Sequence, residues 1–329
     1  MSDNTKTIAS LSISGEITLN LHSLNNEGGE GNQIITRQVT IVDKQGDTHT
    51  VNAISGDMFK HINAVHLSQL AKEQKLPLSS YAEKLNPNRI SKGDFETYLS
   101  SDKKRKNETS ADIVTAMIDI CTICDAHGIL ITDKIGDNKN SSNTPRKSTI
   151  EFGWTVGIPS KTNTESYLHT KLVPDASGVR GEGSNEGQNI FHRPANHGVY
   201  AFVCSIDVYR IGFNDISRSY AVQGDDRSNR YKALVHSLLN TFINPKGAMT
   251  STQKPHITNM KGVVSVSSKL TPAPTISALD ENYQQEIQTI AENLNTIEPG
   301  SITVEKFEGL GELSKILTGL MKYEPYTIQ

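Results

Sequence analysis

The stretch Ile54-Ser55-Gly56-Asp57-Met58-Phe59-Lys60-His61-Ile62 gathers residue types that can seat an anion. Ser55 or Asp57 can cap a helix, Gly56 permits a tight entry turn, and Met58, Phe59, Ile62 and Val65 recur at helical spacing. A helix start carries partial positive charge and unpaired N–H groups. Lys60 and His61 in its first turn are unfavourable by ~0.3–1 kcal/mol each when exposed, unless something negative is bound. The plain alternative is a solvated lysine beside a capped helix.

A second stretch suits the same chemistry. Lys246 and Lys254 flank a run of small residues in which Gly247 and Ala248 offer backbone N–H groups and Thr250 and Ser251 offer hydroxyls. This inventory fits phosphate contacts, and fits a mobile loop equally well. Further cations stand at Arg37, on a hairpin that leads into the first helix, and at Arg146-Lys147. The run Asp102-Lys103-Lys104-Arg105-Lys106 reads as a solvated loop. Cys121, Cys124 and His127 have a spacing that invites zinc, but no second ligand pair lies close in sequence, and buried cysteines are common core residues. No metal and no cofactor is expected.

The chain has 329 residues, 35% of them hydrophobic, and a net charge of −3. That length allows one large domain or two smaller ones, and that charge excludes a uniformly basic surface. A nucleic-acid binder of this composition must concentrate its cations on one face. Three cysteines predict a reducing compartment. The polar start Met1-Ser2-Asp3-Asn4 and the lack of a long apolar run predict a cytoplasmic protein with no membrane partner.

These residues need elements to position them. Residues 8–23 alternate strictly, with Ala9, Leu11, Ile13, Ile17, Leu19 and Leu21 on one face and small polar groups, ending in His22, on the other. This is a half-buried strand whose polar face is open either to solvent or to a ligand. Gly28–Gly31 reads as a flexible connection, and residues 34–42 and 48–54 as a hairpin. Residues 111–127 predict one apolar helix stopped by Gly128. Strands follow at 149–158 and 199–212, separated by an irregular Gly-rich excursion at 159–196. A helix at 226–243, a strand at 261–268 and two C-terminal helices, about 280–294 and 310–322, complete the chain. The order strand, helix, strand, strand, helix, strand predicts an α+β, ferredoxin-like (RRM-like) βαββαβ fold. RNA-recognition modules bind RNA on the open sheet of that fold, but the first strand here has no Phe or Tyr for base stacking.

Ile13-Ser14-Gly15-Glu16 through Leu24-Asn25-Asn26-Glu27-Gly28, then Ile54 to His61, Cys124-Asp125-Ala126-His127-Gly128 and Gly247-Ala248 together resemble the DevR-type CRISPR-associated proteins. These are the backbone (Cas-seven) subunits of type I Cascade, and the resemblance is greatest to the type I-B branch. It spans residues 5–270 in order. It implies a hand-shaped subunit with a ferredoxin-like palm. Residues 1–65 would supply a palm strand, a finger hairpin and the first helix, 66–148 a helical finger insertion, and 149–270 the second half of the palm with a thumb at about 159–197. Residues 271–329 would form a helical C-terminal tail that packs on a neighbour.

The resemblance further implies copies stacked head to tail along a guide RNA (crRNA) that is held by its backbone, together with backbone-capping, crRNA-processing, large and small Cascade subunits and a target DNA strand paired to the guide. The implied RNA contacts are Ser55, Gly56, Lys60, His61, Lys246, Gly247, Ala248, Thr250, Ser251 and Lys254, with Arg37, Arg146 and Lys147 lining the groove and His22 at the end of the first strand. Lys171, Arg180 and Arg193 would lie on the thumb. Two other functions compete. Type III backbone subunits resemble this chain and cut RNA with a loop Asp, for which Asp57 is the candidate, although one carboxylate is a poor metal site and an Asp there also suits a helix cap. A DNA-binding autoregulator ranks last, because no basic recognition helix is visible.

Overall fold

The computed structural model describes residues 6–102, 104–105, 108–132, 143–172, 188–247, 250 and 253–329. The chain enters through a short β1 (Thr7–Ile8) and then β2 (Ser10–His22). β3 (Asn26–Glu30) and β4 (Gln33–Thr36) form one hairpin, and β5 (Gln38–Val42) and β6 (Thr48–Ile54) another. The glycine run expected to be a loose connection is thus strand β3, closed by a turn in which Gly31 takes φ +57°. Helix α1 (Gly56–Glu73) follows, then α2 (Lys92–Ser101), α3 (Ser110–Ile120) and α4 (Thr122–His127).

The single helix expected over 111–127 is broken at Cys121, which is extended at φ −146°, ψ 114°. The break is stabilised on both sides. Cys121 Sγ accepts the Cys124 N–H at 3.3 Å, and Pro77 O accepts the Thr122 N–H at 2.9 Å. The Arg230 guanidinium takes the freed Ile118 and Asp119 carbonyls at 2.5 and 3.3 Å.

β7 (Ile129–Ile131) pairs with β8 (Thr144–Arg146). β9 (Ile150–Phe152) and β10 (Thr155–Leu172) then run alongside β11 (Gln188–Ile206). The excursion at 159–196 is therefore mostly regular: its described residues form a long antiparallel ribbon that continues the sheet strands. β12 (Phe213–Asn214), β13 (Ser219–Tyr220), α5 (Gly224–Ile243) and β14 (His256–Ser267) follow. The last 60 residues hold α6 (Tyr283–Ile297), α7 (Leu310–Leu320) and two strands that sequence alternation did not reveal, β15 (Ile302–Glu308) and β16 (Glu324–Pro325).

The main sheet runs β15-β14-β2-β11-β10-β6-β5, with β9 on β11. Leu11, Ile13, Ile17 and Leu19 of β2 enter the large core with Phe59 and Ile62 of α1 and Leu234 and Leu238 of α5. The opposite face, expected to be open to solvent or to a ligand, is closed over its first half, while Glu16, Thr18 and Asn20 stay partly exposed. Ser10, Ser12 and Ser14 are buried, because the segment before α6 crosses them: Ser10 Oγ accepts the Ala273 N–H and Ser12 Oγ donates to Ala273 O. Ala278, Tyr283 and Ile287 complete a second, smaller core with Val51, Ala53, Val156, Ala201 and Val263 on that face. The C-terminal segment is part of the domain. β15 extends the sheet beside β14, Tyr231 donates to Leu320 O at 2.7 Å, and buried Arg227 donates to Tyr326 O at 2.7 Å.

Two of the expected RNA contacts lie inside the protein. Arg146 is 3% exposed. Its guanidinium donates to Asp125 Oδ1 at 2.8 Å, Asp215 Oδ2 at 2.9 Å and the Phe213 and Arg210 carbonyls, while Arg230 meets the other oxygen of Asp125 at 3.2 Å. Arg146 was expected to line an RNA groove, but Asp125 and Asp215 reach it from distant elements and hold it inside. His22 is 2% exposed. Its Nε2 meets Tyr200 OH at 3.0 Å, and its carbonyl accepts from Asn196, which also donates to Thr36 Oγ1 and accepts from Thr164. This network closes the base of the ribbon.

Two predictions follow from these buried groups. Asp125→Ala leaves buried Arg230 without its carboxylate and buried Arg146 with Asp215 alone, and is expected to destabilise the fold by ~3–5 kcal/mol. A urea unfolding midpoint equal to wild type would show that the network contributes nothing. Burial first, and the His197 charge second, hold the His22 pKa down to about 3, against an unfolded value of 6.5. Folding therefore excludes a proton between those values. His22 contributes no acid sensitivity above about pH 6.5, and below it stability falls by at most ~1.4 kcal/mol per pH unit. His22→Gln should lose less stability than wild type between pH 7 and pH 5, and parallel losses would refute this assignment.

Candidate nucleic-acid interface

The start of α1 forms as its residue types dictate. Ser55 is the N-cap at φ −64°, ψ 149°, and its Oγ accepts the Met58 N–H at 3.2 Å. Gly56 is required by packing, since a Cβ there would lie 2.2 Å from the Phe152 carbonyl oxygen. The apolar residues of the helix turn inward, which leaves Asp57 and His61 exposed and Lys60 half-buried.

These three residues line a cleft of about 300 Å³ whose far wall carries Leu85, Asn86 and Arg89. Arg89 was not picked out in the sequence. It follows an Asn86-Pro87 turn signal and takes a left-handed conformation at φ 48°. Its Nη1 donates to His127 O at 3.0 Å and to Gly128 O, so the end of α4 fixes it. Burial first, and the Arg89 charge second, lower the Lys60 pKa; Asp57 and Glu151 oppose them. Two cations thus face one cleft and disfavour each other, which an anion placed there would relieve. Lys147 reaches this neighbourhood through Glu151, its partner at 3.9 Å, and is itself exposed.

The hub of the region is the segment that leaves β2. Leu24 supports the second predicted anion loop: a Cβ on Gly247 would come within 2.6 Å of its Cδ2. Lys246 is exposed, and its charge contributes, after burial, to lowering the pKa of His66 on α1. Thr250 Oγ1 donates to Gly247 O at 3.3 Å and Gln253 Nε2 to Pro194 O at 2.9 Å, and Lys254 is exposed. Ala248 and Ser251 lie outside the described residues.

One residue on, Asn25 Oδ1 accepts from Ser55 Oγ at 3.5 Å and Asn25 O accepts the Arg37 N–H at 3.4 Å. Arg37 in turn lies over the ring of Trp154, 5.7 Å from its centroid. The structure therefore brings Arg37, Ser55, Gly56, Lys60, His61, Lys246, Gly247, Thr250 and Lys254 to the elements around one strand end, with Lys147 nearby. On the ribbon, Arg193 lies 4.6 Å over Phe191. Lys171 is placed by its backbone in β10, paired with Asn189, and Arg180 lies outside the described residues. Among the described residues no group of three or more His, Cys, Asp or Glu side chains is placed to hold a metal ion. His127 instead meets Asn63 Oδ1 at 2.9 Å.

The chain is 24% identical over 328 residues to the CRISPR-associated protein Cas7/Cst2/DevR of Methanocaldococcus jannaschii, covering 95% of this chain and 99% of that one. It is 23% identical over 282 residues to the CRISPR-associated protein Cas7/Csa2 1 of Saccharolobus solfataricus, covering 83% and 84%. A chain of a solved CRISPR RNA-guided surveillance complex, in a pre-nicking state, superposes with a TM-score of 0.46 at 12% identity, over 97% of this chain and 96% of that one. Residues 13–288 match the family described as the CRISPR-associated negative auto-regulator DevR/Csa2. With most of its length inside that match, the chain belongs to the DevR/Csa2 family of CRISPR-associated proteins.

Proposed function

We propose that this chain is a non-catalytic backbone subunit that grips a CRISPR guide RNA by its sugar-phosphate chain. The observation that carries this reading is the convergence on one strand end of a capped helix start, the Lys60–Arg89 cleft and the Lys246–Lys254 loop. Three positive features serving one groove suit a polyanion, and none of them reads a base edge, so any guide sequence fits. The blocked serine face supports the same path. RNA cannot lie flat on the sheet as in an RNA-recognition module, so it passes the strand ends instead.

In this reading β2, α1, β9–β10, β11, α5 and β14 are a ferredoxin-like palm, the β10–β11 ribbon is the thumb, and residues 66–148 supply fingers. Copies stack head to tail along the RNA in a type I Cascade, of the I-B kind, with its capping, processing, large and small subunits and a target DNA strand on the guide. The protein works in the cytoplasm, away from any membrane.

The purified protein should carry RNA of regular protected length. Lys60→Ala, and the pair Lys246→Ala with Lys254→Ala, should weaken RNA binding equally across sequences. Each lost phosphate contact should reduce the slope of log affinity against log salt by ~0.7. Unchanged slopes in both variants would remove this groove from the interface. Labelled RNA incubated with Mg²⁺ should stay intact; specific cuts that vanish in Asp57→Ala would establish the nuclease reading instead.

A further inference from the structure

Strands β9 and β10 form one strand with an interruption. Phe152 pairs with Cys204 and Val156 with Ala201, so this strand has one more residue than β11 between the two pairs. The extra residue makes a bulge at Gly153-Trp154, a device that re-aims a side chain. Gly153 is pressed against β11, where a Cβ would meet Val203 Cγ2 at 2.6 Å. Trp154, the only tryptophan of the chain, is 43% exposed. No ring of the described residues stacks on it, and its one recorded ring contact is the Arg37 guanidinium. Pairing of Thr155 with Ile54 sets Trp154 beside the Ser55 cap.

Two unsatisfied donors accompany the indole. Asn25 is 6% exposed, and its Nδ2 has no acceptor; the Nε of Arg37 is likewise buried without one. A buried donor left unpaired is costly, so the cluster favours a ligand that brings acceptor atoms. A nucleotide provides both requirements: a flat π surface for the indole and guanidinium, and carbonyl, ring-nitrogen or phosphate acceptors for the amide.

We propose that Trp154 is a stacking platform for one base of the bound single-stranded RNA, with Arg37 and Asn25 as its polar partners. The proposal rests on the RNA-groove reading and adds to it a base-dependent, sequence-tolerant contact, since every base has a π face. The absence of aromatics on β2 pointed away from stacking, but the ring is supplied by the bulge between β9 and β10, across β11 from β2.

Because Trp154 is the only indole, emission excited at the red edge of its absorption reports this one position. The full-length protein is titrated with a mixed-sequence single-stranded RNA and with an abasic ribose-phosphate strand of equal length, at fixed salt. The base-bearing strand should quench the emission and the abasic strand should not. Trp154→Ala should bind the base-bearing strand about tenfold more weakly, with little change for the abasic one, and Trp154→Phe should retain most of the affinity. If both strands bind and quench alike, or both bind without quenching, stacking is overturned while the groove reading stands. If neither strand binds, the groove reading falls and stacking with it. Should Trp154→Ala fail to fold, the wild-type comparison of the two strands decides alone.

Discussion

Strand β2 is covered on its apolar side and over the first half of its serine side, and this constraint narrows where the molecule can act. Its apolar side carries α1 and α5, as the alternation of Leu11, Ile13, Ile17 and Leu19 requires. Its serine side is sealed by the segment around Ala273 and by α6. A strand buried this way offers a partner mainly its C-terminal part, from Glu16 onward. At its C-terminal end the chain turns through Ser23, Leu24 and Asn25, and each neighbouring element abuts that turn: the α1 cap through Asn25, the Gly247 loop through Leu24, and the ribbon through His22. Under the ribbon the polar groups of this hub are spent on one another, whereas the Asn25 Nδ2 has no acceptor. Tyr200, His22, Asn196, Thr36 and Thr164 form a chain of hydrogen bonds under the ribbon, and such networks specify one arrangement when they are satisfied.

Charge is sorted by the same burial. Arg146, Arg210, Arg227 and Arg230 are at most 5% exposed and are held by carboxylates or backbone carbonyls. They contribute to the fold and not to an external field. The cations that remain near the strand end include Arg37, Lys60, Arg89, Lys246 and Lys254, and Asp57 is the carboxylate lining the Lys60–Arg89 cleft. A chain of net charge −3 can therefore present a local positive groove, with its acids used elsewhere, on α6 and in buried pairs. Net charge alone says little about such a protein, because a phosphate within a few ångströms responds to the nearest groups and hardly to the total.

The family membership and the geometry bear on different scales. The match over residues 13–288 fixes the company this chain keeps, among CRISPR-associated proteins. The local structure argues which atoms would meet an RNA. The bulge at Gly153-Trp154 illustrates the difference. It is one extra residue against β11, yet it turns an indole out beside the helix cap and two unpaired donors.

The sequence by itself determined the elements whose signals are local. β2, the β5–β6 hairpin, α1 with its Ser55 cap, α5 and the Gly128 stop follow from periodicity and from capping chemistry, which act within a few residues. It also marked Lys60 at a helix start, the Lys246–Lys254 loop and Arg37 on a hairpin as candidate anion contacts. Only the tertiary structure decided which cations are free. Arg146 reads like Lys60 in sequence, but Asp125 and Asp215 reach it from other elements and bury it. The break at Cys121 depends on Arg230 from α5, the sealing of the serine face on residues some 260 positions away, and the location of Arg89 on a carbonyl at the end of α4. Short-range patterns record backbone geometry and one apolar face. They carry no record of which distant carboxylate or carbonyl will arrive, and that arrival separates a structural guanidinium from one that can bind.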